Sequence, residues 1–190
     1  MSRIVIYGSR QFAYYVRDLA EECGHDFVGF VDDFSSGKDI LGTFDEIKER
    51  YSPKDFMIVM AIGYQNLKAR WEVFNKVKNA GFEIQTLVHP KAYVHKTAKI
   101  GEGAIICVRT IIDNRVTIGE ATFIWPGVTV NHDVRIGSNC FLSPQVNVCG
   151  FAAIGNSCFL GASSVIINES IIEDNSFIKA GTIYYRKGTS

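Results

Sequence analysis

Aliphatic residues recur at every sixth position through the second half of the chain, and no insertion breaks their register. The aliphatic positions are Val94, Ile100, Ile106, Ile112, Ile118, Ile124, Val130, Ile136, Leu142, Val148, Ile154, Leu160, Ile166, Ile172 and Ile178. The fourth residue after each of them is small or β-branched. A period this short and this regular predicts a parallel β-helix built from hexapeptide repeats.

A second period of eighteen residues lies on top of the first. An aliphatic residue followed by glycine recurs at Ile100-Gly101, Ile118-Gly119, Ile136-Gly137 and Ile154-Gly155. Three hexapeptides make one triangular coil, so each aliphatic side chain is expected to stack on its counterpart in the preceding coil. Five such coils cover residues 94–183, and each glycine is expected at a tight corner that needs unusual backbone angles.

Before the repeat, apolar runs alternate with helical patterns. The predicted strands cover residues 3–7, 27–31, 56–63 and 84–89, and the predicted helices cover residues 10–23, 45–51 and 66–80. Alternation at this spacing predicts parallel βαβ units with right-handed crossovers. The expected architecture is an α/β Rossmann-like parallel sheet in residues 1–90, followed by an all-β parallel β-helix in residues 91–190.

Ligands of such sheets bind at the carboxyl ends of the strands. The predicted strands place Gly8-Ser9-Arg10, Asp32-Asp33 and Gly63 at that edge. The dinucleotide fingerprint G-x-G-x-x-G is absent, because Arg10 stands where its second glycine would be, and this disfavours an NAD-dependent dehydrogenase. A ligand-binding loop and a plain strand-to-helix turn both remain compatible with Gly8.

Composition narrows the function classes further. Twenty basic and twenty acidic side chains cancel, so nothing favours nucleic acid or an anionic membrane as a partner. Neither a signal peptide nor an apolar run of membrane-spanning length is evident, and the expected location is the cytoplasm. Five cysteines without a C-x-x-C pair predict reduced thiols, and no metal site is expected.

His132 is the candidate for proton transfer within the repeat. Val130 and Val134 occupy inward positions, so Asn131, His132 and Asp133 are expected at a corner that faces outward. An imidazole there can accept a proton from an amine or a hydroxyl, and Asp133 can orient the ring. The alternative is an exposed surface histidine without a catalytic role.

The whole chain resembles bacterial nucleotide-sugar acyltransferases. These enzymes N-acetylate UDP-, GDP- or dTDP-linked 4-amino-4,6-dideoxy sugars, and sialic acid O-acetyltransferases are related to them. The matching segments are Ile6-Tyr7-Gly8, Gly29-Phe30-Val31-Asp32-Asp33, Ala61-Ile62-Gly63, Leu87-Val88-His89-Pro90, and Asn131-His132-Asp133 before Ile136-Gly137. The resemblance implies a left-handed β-helix, a homotrimer with active sites between neighbouring β-helices, and transfer of an acetyl or similar acyl group from acyl-CoA to a nucleotide-linked amino sugar.

The resemblance also implies roles for individual residues. His132 would be the general base, helped by Asp133, and Gly150 would offer its backbone N–H to the thioester carbonyl. The acyl-CoA arm would run near Gly161-Ala162. The nucleotide sugar would contact Gly8, Ser9, Arg10, Asp32, Asp33 and Gly63.

Departures from the family pattern keep other readings open. Arg10 replaces part of a glycine-rich loop and either pairs with a phosphate or is solvated surface. Phe141 stands where many relatives carry a histidine beside the acyl-CoA, which puts the acyl donor in question. A sugar O-acetyltransferase of the sialic acid type and a non-catalytic β-helix scaffold remain alternatives. A zinc carbonic anhydrase is disfavoured, because it needs three histidines and the repeat past its first coil offers only His132.

Overall fold

The computed structural model describes residues 2–186, and the chain divides into two compact units between Leu87 and Val88. The boundary expected from the sequence lies three residues further on. Among the described residues, no helix is long and apolar enough to cross a membrane.

The first unit is a four-stranded parallel sheet with helices in the connections. Its elements are β1 (Arg3–Tyr7), α1 (Gln11–Glu22), β2 (Asp26–Val31), β3 (Ile40–Gly42), α2 (Phe44–Arg50), β4 (Met57–Met60), a 3₁₀ turn (Tyr64–Asn66) and α3 (Leu67–Asn79). The strand order is β3-β2-β1-β4, and every pair is parallel. The carboxyl ends of all four strands therefore lie at one edge of the sheet.

Local sequence explains why these elements form. The central strand β1 is buried from Ile4 to Tyr7, as a parallel strand covered on both faces should be. Helix α1 buries a stripe of four small or aliphatic residues. Helix α2 begins at a capping box, in which the Thr43 hydroxyl accepts from the Glu46 N–H and the Glu46 carboxylate accepts from the Thr43 N–H.

Two sequence-based expectations for this unit were wrong. The strand predicted at residues 84–89 does not form as one element. Its first residue, Ile84, makes only an isolated parallel bridge to Ile58. Residues Leu87–Val88 form a separate strand, β5, which hydrogen-bonds into a sheet of the solenoid. Strand β3 was missed, since three half-buried residues at a sheet edge give too short a hydrophobic signal.

A partly buried polar network ties β2 to its neighbours through Asp33. Its carboxylate accepts from the Tyr7 hydroxyl at 2.6 Å, the Phe44 N–H at 2.8 Å and the Lys76 ammonium at 3.4 Å. Burial alone would raise the pKa of Asp33, but these hydrogen bonds and the Lys76 charge outweigh it and leave the pKa lowered. Burial is also the main reason that the pKa of Tyr7 is raised, with the Asp33 carboxylate adding to it.

The second unit is a triangular solenoid of two-residue strands. The strands are β5 (Leu87–Val88), β6 (Tyr93–Val94), β7 (Lys99–Ile100), β8 (Ile105–Ile106), β9 (Ile111–Ile112), β10 (Thr117–Ile118), β11 (Phe123–Ile124), β12 (Thr129–Val130), β13 (Arg135–Ile136), β14 (Phe141–Leu142), β15 (Asn147–Val148), β16 (Ala153–Ile154), β17 (Phe159–Leu160), β18 (Val165–Ile166), β19 (Ile171–Ile172), β20 (Phe177–Ile178) and β21 (Ile183–Tyr184). They form three parallel sheets, called here face 1 (β7-β10-β13-β16-β19), face 2 (β5-β8-β11-β14-β17-β20) and face 3 (β6-β9-β12-β15-β18-β21).

Pairing follows the eighteen-residue period and builds the core. Ile118, for example, pairs with Ile100 in the coil before and with Ile136 in the coil after. The aliphatic positions from Ile106 to Ile166 are at most 4% exposed. Full burial of one such side chain contributes roughly 1.5–3 kcal/mol, so the stacked columns supply the stability that isolated two-residue strands lack.

Glycine is needed at these corners for a different structural reason from the one expected. Gly101, Gly119, Gly137 and Gly155 are not among the residues with positive φ. A Cβ on Gly119 would instead lie 2.5 Å from the backbone carbon of Gly137 in the next coil. These glycines permit the close approach of neighbouring coils, and the expectation of unusual backbone angles was wrong.

Left-handed backbone angles occur at another corner position, every sixth residue from Gly103 to Gly181. Eleven of these positions carry a side chain. They are Arg109, Arg115, Ala121, Asp133, Asn139, Gln145, Phe151, Ser157, Ser163, Glu169 and Asn175. We call this set the left-handed corner positions.

We expect Gly119→Ala to lower the free energy of unfolding by about 1–3 kcal/mol, because the new methyl group forces two coils apart. The matched control is Gly127→Asn, since a Cβ on Gly127 would meet only the Gln145 side chain at 3.6 Å and asparagine tolerates its φ of 73°. Urea unfolding at fixed protein concentration measures both. Equal losses in the two variants would contradict the role given to coil spacing.

We expect Asp33→Asn to lower the free energy of unfolding of the first unit by about 1.5–3 kcal/mol at pH 7, the usual contribution of hydrogen bonds to a charged group. The pKa of Asp33 is lowered in the folded state. Its contribution is therefore complete above the unfolded pKa near 4 and is lost as the pH falls through the folded value.

The measurement is urea unfolding from pH 7 to pH 2.5 followed by circular dichroism at 222 nm. This signal reports the first unit, because the three described α-helices all lie there. Wild-type stability should fall more steeply below pH 4 than that of Asp33→Asn. The exposed Asp26→Asn serves as the control, and parallel pH profiles for wild type and Asp33→Asn would refute the prediction.

Candidate functional site

His132 lies at the corner where face 3 passes into face 1. The inward residues Val130 and Val134 are completely buried, whereas Asn131, His132 and Asp133 are partly exposed. The Asn131 side chain donates to the Val148 carbonyl at 2.9 Å, which ties this corner to the next coil. The hexapeptide register thus presents the imidazole outward on a rigid backbone.

Asp133 holds the imidazole through its ring nitrogen. Its carboxylate lies 2.9 Å from His132 Nδ1, and Arg115 donates two hydrogen bonds to it, at 2.6 and 2.8 Å. Asp133 and Arg115 occupy left-handed corner positions eighteen residues apart, so coil stacking builds the pair. Hydrogen bonds from Arg115 first, and from His132 second, hold the pKa of Asp133 well below its usual range.

The other edge of the imidazole lies against the next coil. A Cβ on Gly150 would lie 2.8 Å from His132 Cε1 and 3.0 Å from Nε2, so only glycine leaves room for the ring. Phe151 packs on the imidazole with ring centroids 5.1 Å apart and planes at 85°. Within residues 2–186, neither Nε2 of His132 nor the Gly150 N–H has a hydrogen-bond partner.

Arg115 and Phe151 are the residues of this corner that the sequence analysis missed. Both could have been found by stepping eighteen residues in either direction from Asp133. The aliphatic period was used to locate the core, whereas the same period applied to a polar corner residue identifies its neighbours in space.

The three other residues expected near the acyl donor lie elsewhere on the solenoid. Gly161 and Ala162 occupy the corner between faces 2 and 3, whereas His132 and Gly150 occupy the corner between faces 3 and 1. The width of face 3 separates the two corners. Phe141 lies on face 2, is 3% exposed and stacks between Phe123 and Phe159, with centroids 5.2 and 6.0 Å away. Within one chain these residues do not join the His132 corner.

Polar residues of the first unit do gather at the carboxyl edge of its sheet. The Ser9 hydroxyl donates to Asp32 Oδ2 at 2.5 Å, and Asp32 Oδ1 accepts from the N–H groups of Phe34 and Ser35. Burial would raise the pKa of Asp32, but these hydrogen bonds, led by that of Ser9, leave it lowered. Both carboxylate oxygens thus organise the loop after β2, and those of Asp33 are also engaged within the unit.

The glycines at this edge differ in their surroundings. Gly8 has a φ of 114°, and a Cβ there would lie 2.7 Å from the Ala61 carbonyl oxygen, so close strand packing requires glycine. Gly63 precedes the 3₁₀ turn after β4, and a Cβ there would meet no atom within 4 Å.

A cavity of about 400 Å³ opens beside this edge. Ser9 and Arg10 from the first loop line it together with Tyr14, Ser35 and Lys38. Tyr14, Ser35 and Lys38 were not anticipated, although the run of small residues at 35–37 before Lys38 is a signal for a ligand-binding loop. The cavity presents two cations, Arg10 and Lys38, together with one acidic residue, Asp39, and several hydroxyl groups.

The part of the chain that the structure describes contains no group of three or more His, Cys, Asp or Glu side chains that could hold a metal ion.

Comparison with known proteins identifies both halves of the chain. Residues 3–77 match the family model of the PglD N-terminal domain, and residues 115–150 match that of the bacterial transferase hexapeptide (six repeats). A curated relative, GDP-perosamine N-acetyltransferase of Escherichia coli O157:H7, is 33% identical over 106 residues. That match covers 53% of this chain and 46% of the relative, so the chain spans about half the length of the curated relative.

Solved structures share the fold over nearly the whole chain. The acetyltransferase domain of PglB from Neisseria gonorrhoeae FA1090 superposes with a TM-score of 0.90 at 22% identity, covering 99% of this chain and 94% of that one. PerB from Caulobacter crescentus, solved in complex with CoA and GDP-perosamine, superposes with a TM-score of 0.88 at 24% identity, covering 100% and 92%. The predicted fold is confirmed as a parallel α/β sheet followed by a left-handed hexapeptide β-helix of about five turns.

The two family models, the curated relative and the shared two-part fold agree with one another. The chain thus combines a PglD-type N-terminal domain with hexapeptide repeats of the bacterial transferase type.

Proposed function

We propose that the protein transfers an acetyl group from acetyl-CoA to the amino group of a nucleotide-linked amino sugar. The observation that carries this proposal is the His132 corner, where the imidazole is bound through Nδ1 and leaves Nε2 unpartnered beside Gly150. The curated relative named for N-acetylation of GDP-perosamine supports an amino-sugar acceptor. An amine needs one proton removed as it attacks a thioester, and one neutral imidazole suffices for that.

The proposed reaction uses the residues of the corner in sequence. The Asp133 carboxylate accepts a hydrogen bond from the Nδ1–H of His132, which leaves the Nε2 lone pair free to take a proton from the attacking amine. The new C–N bond forms as the thioester carbonyl becomes an oxyanion, and the Gly150 N–H donates to that oxygen. The C–S bond then breaks, and the imidazolium returns its proton to the leaving thiolate.

The nucleotide sugar is proposed to bind at the carboxyl edge of the first unit. Arg10 and Lys38 line the cavity there and suit a diphosphate, whose charge two cations can offset. Gly8, Ser9, Asp32, Asp33 and Gly63 would shape the loops, since the carboxylates of both aspartates are already engaged within the unit.

A homotrimer is proposed because the residues expected to contact the acyl donor occupy two corners of one chain. Gly161 and Ala162 flank one end of face 3, and His132 flanks the other. Two copies packed side by side can bring these corners together, with the acyl-CoA arm between them. Phe141 remains a proposed neighbour of the acyl donor. Acetyl-CoA and nucleotide sugars are both cytoplasmic metabolites, so we place the protein in the cytoplasm.

We expect His132→Asn to lower kcat by a factor on the order of 10² to 10⁴, because asparagine cannot accept the proton. Steady-state assays with acetyl-CoA and GDP-perosamine measure the effect, and thermal unfolding tests that the fold is intact. The control is Lys96→Ala, at an exposed residue of the first coil. A buried residue such as Asn139 would not serve, because its replacement disturbs the packing. A His132→Asn variant with the wild-type rate would show that His132 is not the base.

A thermal-shift screen tests the substrate class independently of catalysis, because a ligand that binds only the folded state raises its stability. We expect both acetyl-CoA and one class of GDP-, UDP- or dTDP-linked amino sugar to raise Tm. At a ligand concentration of 100 Kd the gain is about 2.7 kcal/mol. The absence of any response to acetyl-CoA would favour the scaffold alternative instead.

A further inference from the structure

Phe151 occupies a backbone position that suits few residues with a side chain. It is the one aromatic residue among the eleven left-handed corner positions, and its φ is 60°. An L-residue is strained in this region because its Cβ crowds the following carbonyl, and asparagine or glycine is tolerated best. Phe151 is also 55% exposed, so burial in the core does not offset this strain.

The side chain of Phe151 is placed against His132 by the coil period. Phe151 lies eighteen residues after Asp133, and its N–H donates to the His132 carbonyl at 3.2 Å. The two rings meet at a centroid distance of 5.1 Å and an angle of 85°, which is the edge-to-face arrangement that aromatic rings prefer.

The hydrogen bond at Nδ1 does not by itself fix the orientation of the imidazole, so a second contact is needed to hold the ring. The His132 side chain is 43% exposed, and a ring held only by Asp133 can swing about that bond. Gly150 lies under the Cε1–Nε2 edge and provides space there without a side chain to grip the ring. Phe151 is the side chain that can stop the motion.

We propose that Phe151 is a positioning residue for His132, whose phenyl ring holds the imidazole with Nε2 directed at the substrate amine. This inference rests on the proposed acyl transfer, in which Nε2 accepts the amine proton. Strain kept at a functional corner is expected where the strained residue makes a contact that the reaction needs. The positioning role then explains both the strained backbone of Phe151 and its contact with His132.

Phe151→Asn separates positioning from stability. Asparagine suits the left-handed angles, so Tm should stay the same or rise. The freed imidazole should lower kcat by a factor on the order of 10 to 100, the scale of small misplacements of a catalytic group. KM values for acetyl-CoA and GDP-perosamine should change by less than about twofold, since uniform binding is untouched. Phe151→Tyr should keep the wild-type kcat.

The matched control is Arg109→Asn, which introduces the same residue at another exposed left-handed corner position, one that does not contact His132. It should leave kcat unchanged. A fall in Tm for Phe151→Asn together with an unchanged kcat would assign Phe151 a structural role and overturn the proposal.

Ring-proton NMR of the histidines tests the contact without catalysis. The chain has four histidines, and His132→Asn identifies the signal of His132 by its loss. Removal of the phenyl ring in Phe151→Asn should shift that signal and broaden it as the imidazole gains freedom, whereas Arg109→Asn should not. An unmoved His132 signal would overturn the proposal. A wild-type protein that is inactive toward every donor and acceptor would instead overturn the proposed function, and the positioning role of Phe151 with it.

Discussion

Backbone contact between successive coils is the constraint on which the second half of this protein depends. Each strand has two residues, too few to be stable alone, and gains its partners only from the coils above and below. The corner glycines are needed because the coils approach so closely that a Cβ on Gly119 would reach the backbone of the next coil. This spacing aligns residues eighteen apart, inside the core and on its surface alike.

The candidate active corner is a product of the same alignment. Arg115, Asp133 and Phe151 are widely separated in sequence, yet they stack in one column of left-handed corner positions. Asp133 is thereby held by Arg115 on one side and offers its carboxylate to His132 on the other. Gly150, which lies in the next coil, leaves room for the imidazole ring of His132. The repeat thus orients the proposed proton acceptor without a separate supporting domain, because each coil supplies one contact.

The first unit reaches its polar edge by a different route. Parallel strands bring their carboxyl ends to one side of the sheet, and the loops that follow meet there. Ser9 and Asp32 bond across this edge, while Asp33 anchors β2 to Tyr7 and α2. These internal bonds leave Arg10 and Lys38 as the cations that line the cavity. The acidic pair therefore shapes the loops, and the basic side chains are better suited to a phosphate.

The sequence by itself determined the β-helix, its coil length and the outward corner of His132, because an unbroken period of six fixes which side chains point inward. It also predicted the parallel sheet, but not the edge strand β3 or the fate of residues 84–89, where short segments carry little periodic signal. Only the tertiary structure decided why the corner glycines are there, and which contacts Arg115 and Phe151, neighbours of Asp133 by the eighteen-residue period, make with the His132–Asp133 pair. Such contacts depend on the distance between coils, which no local pattern of apolar and polar residues records.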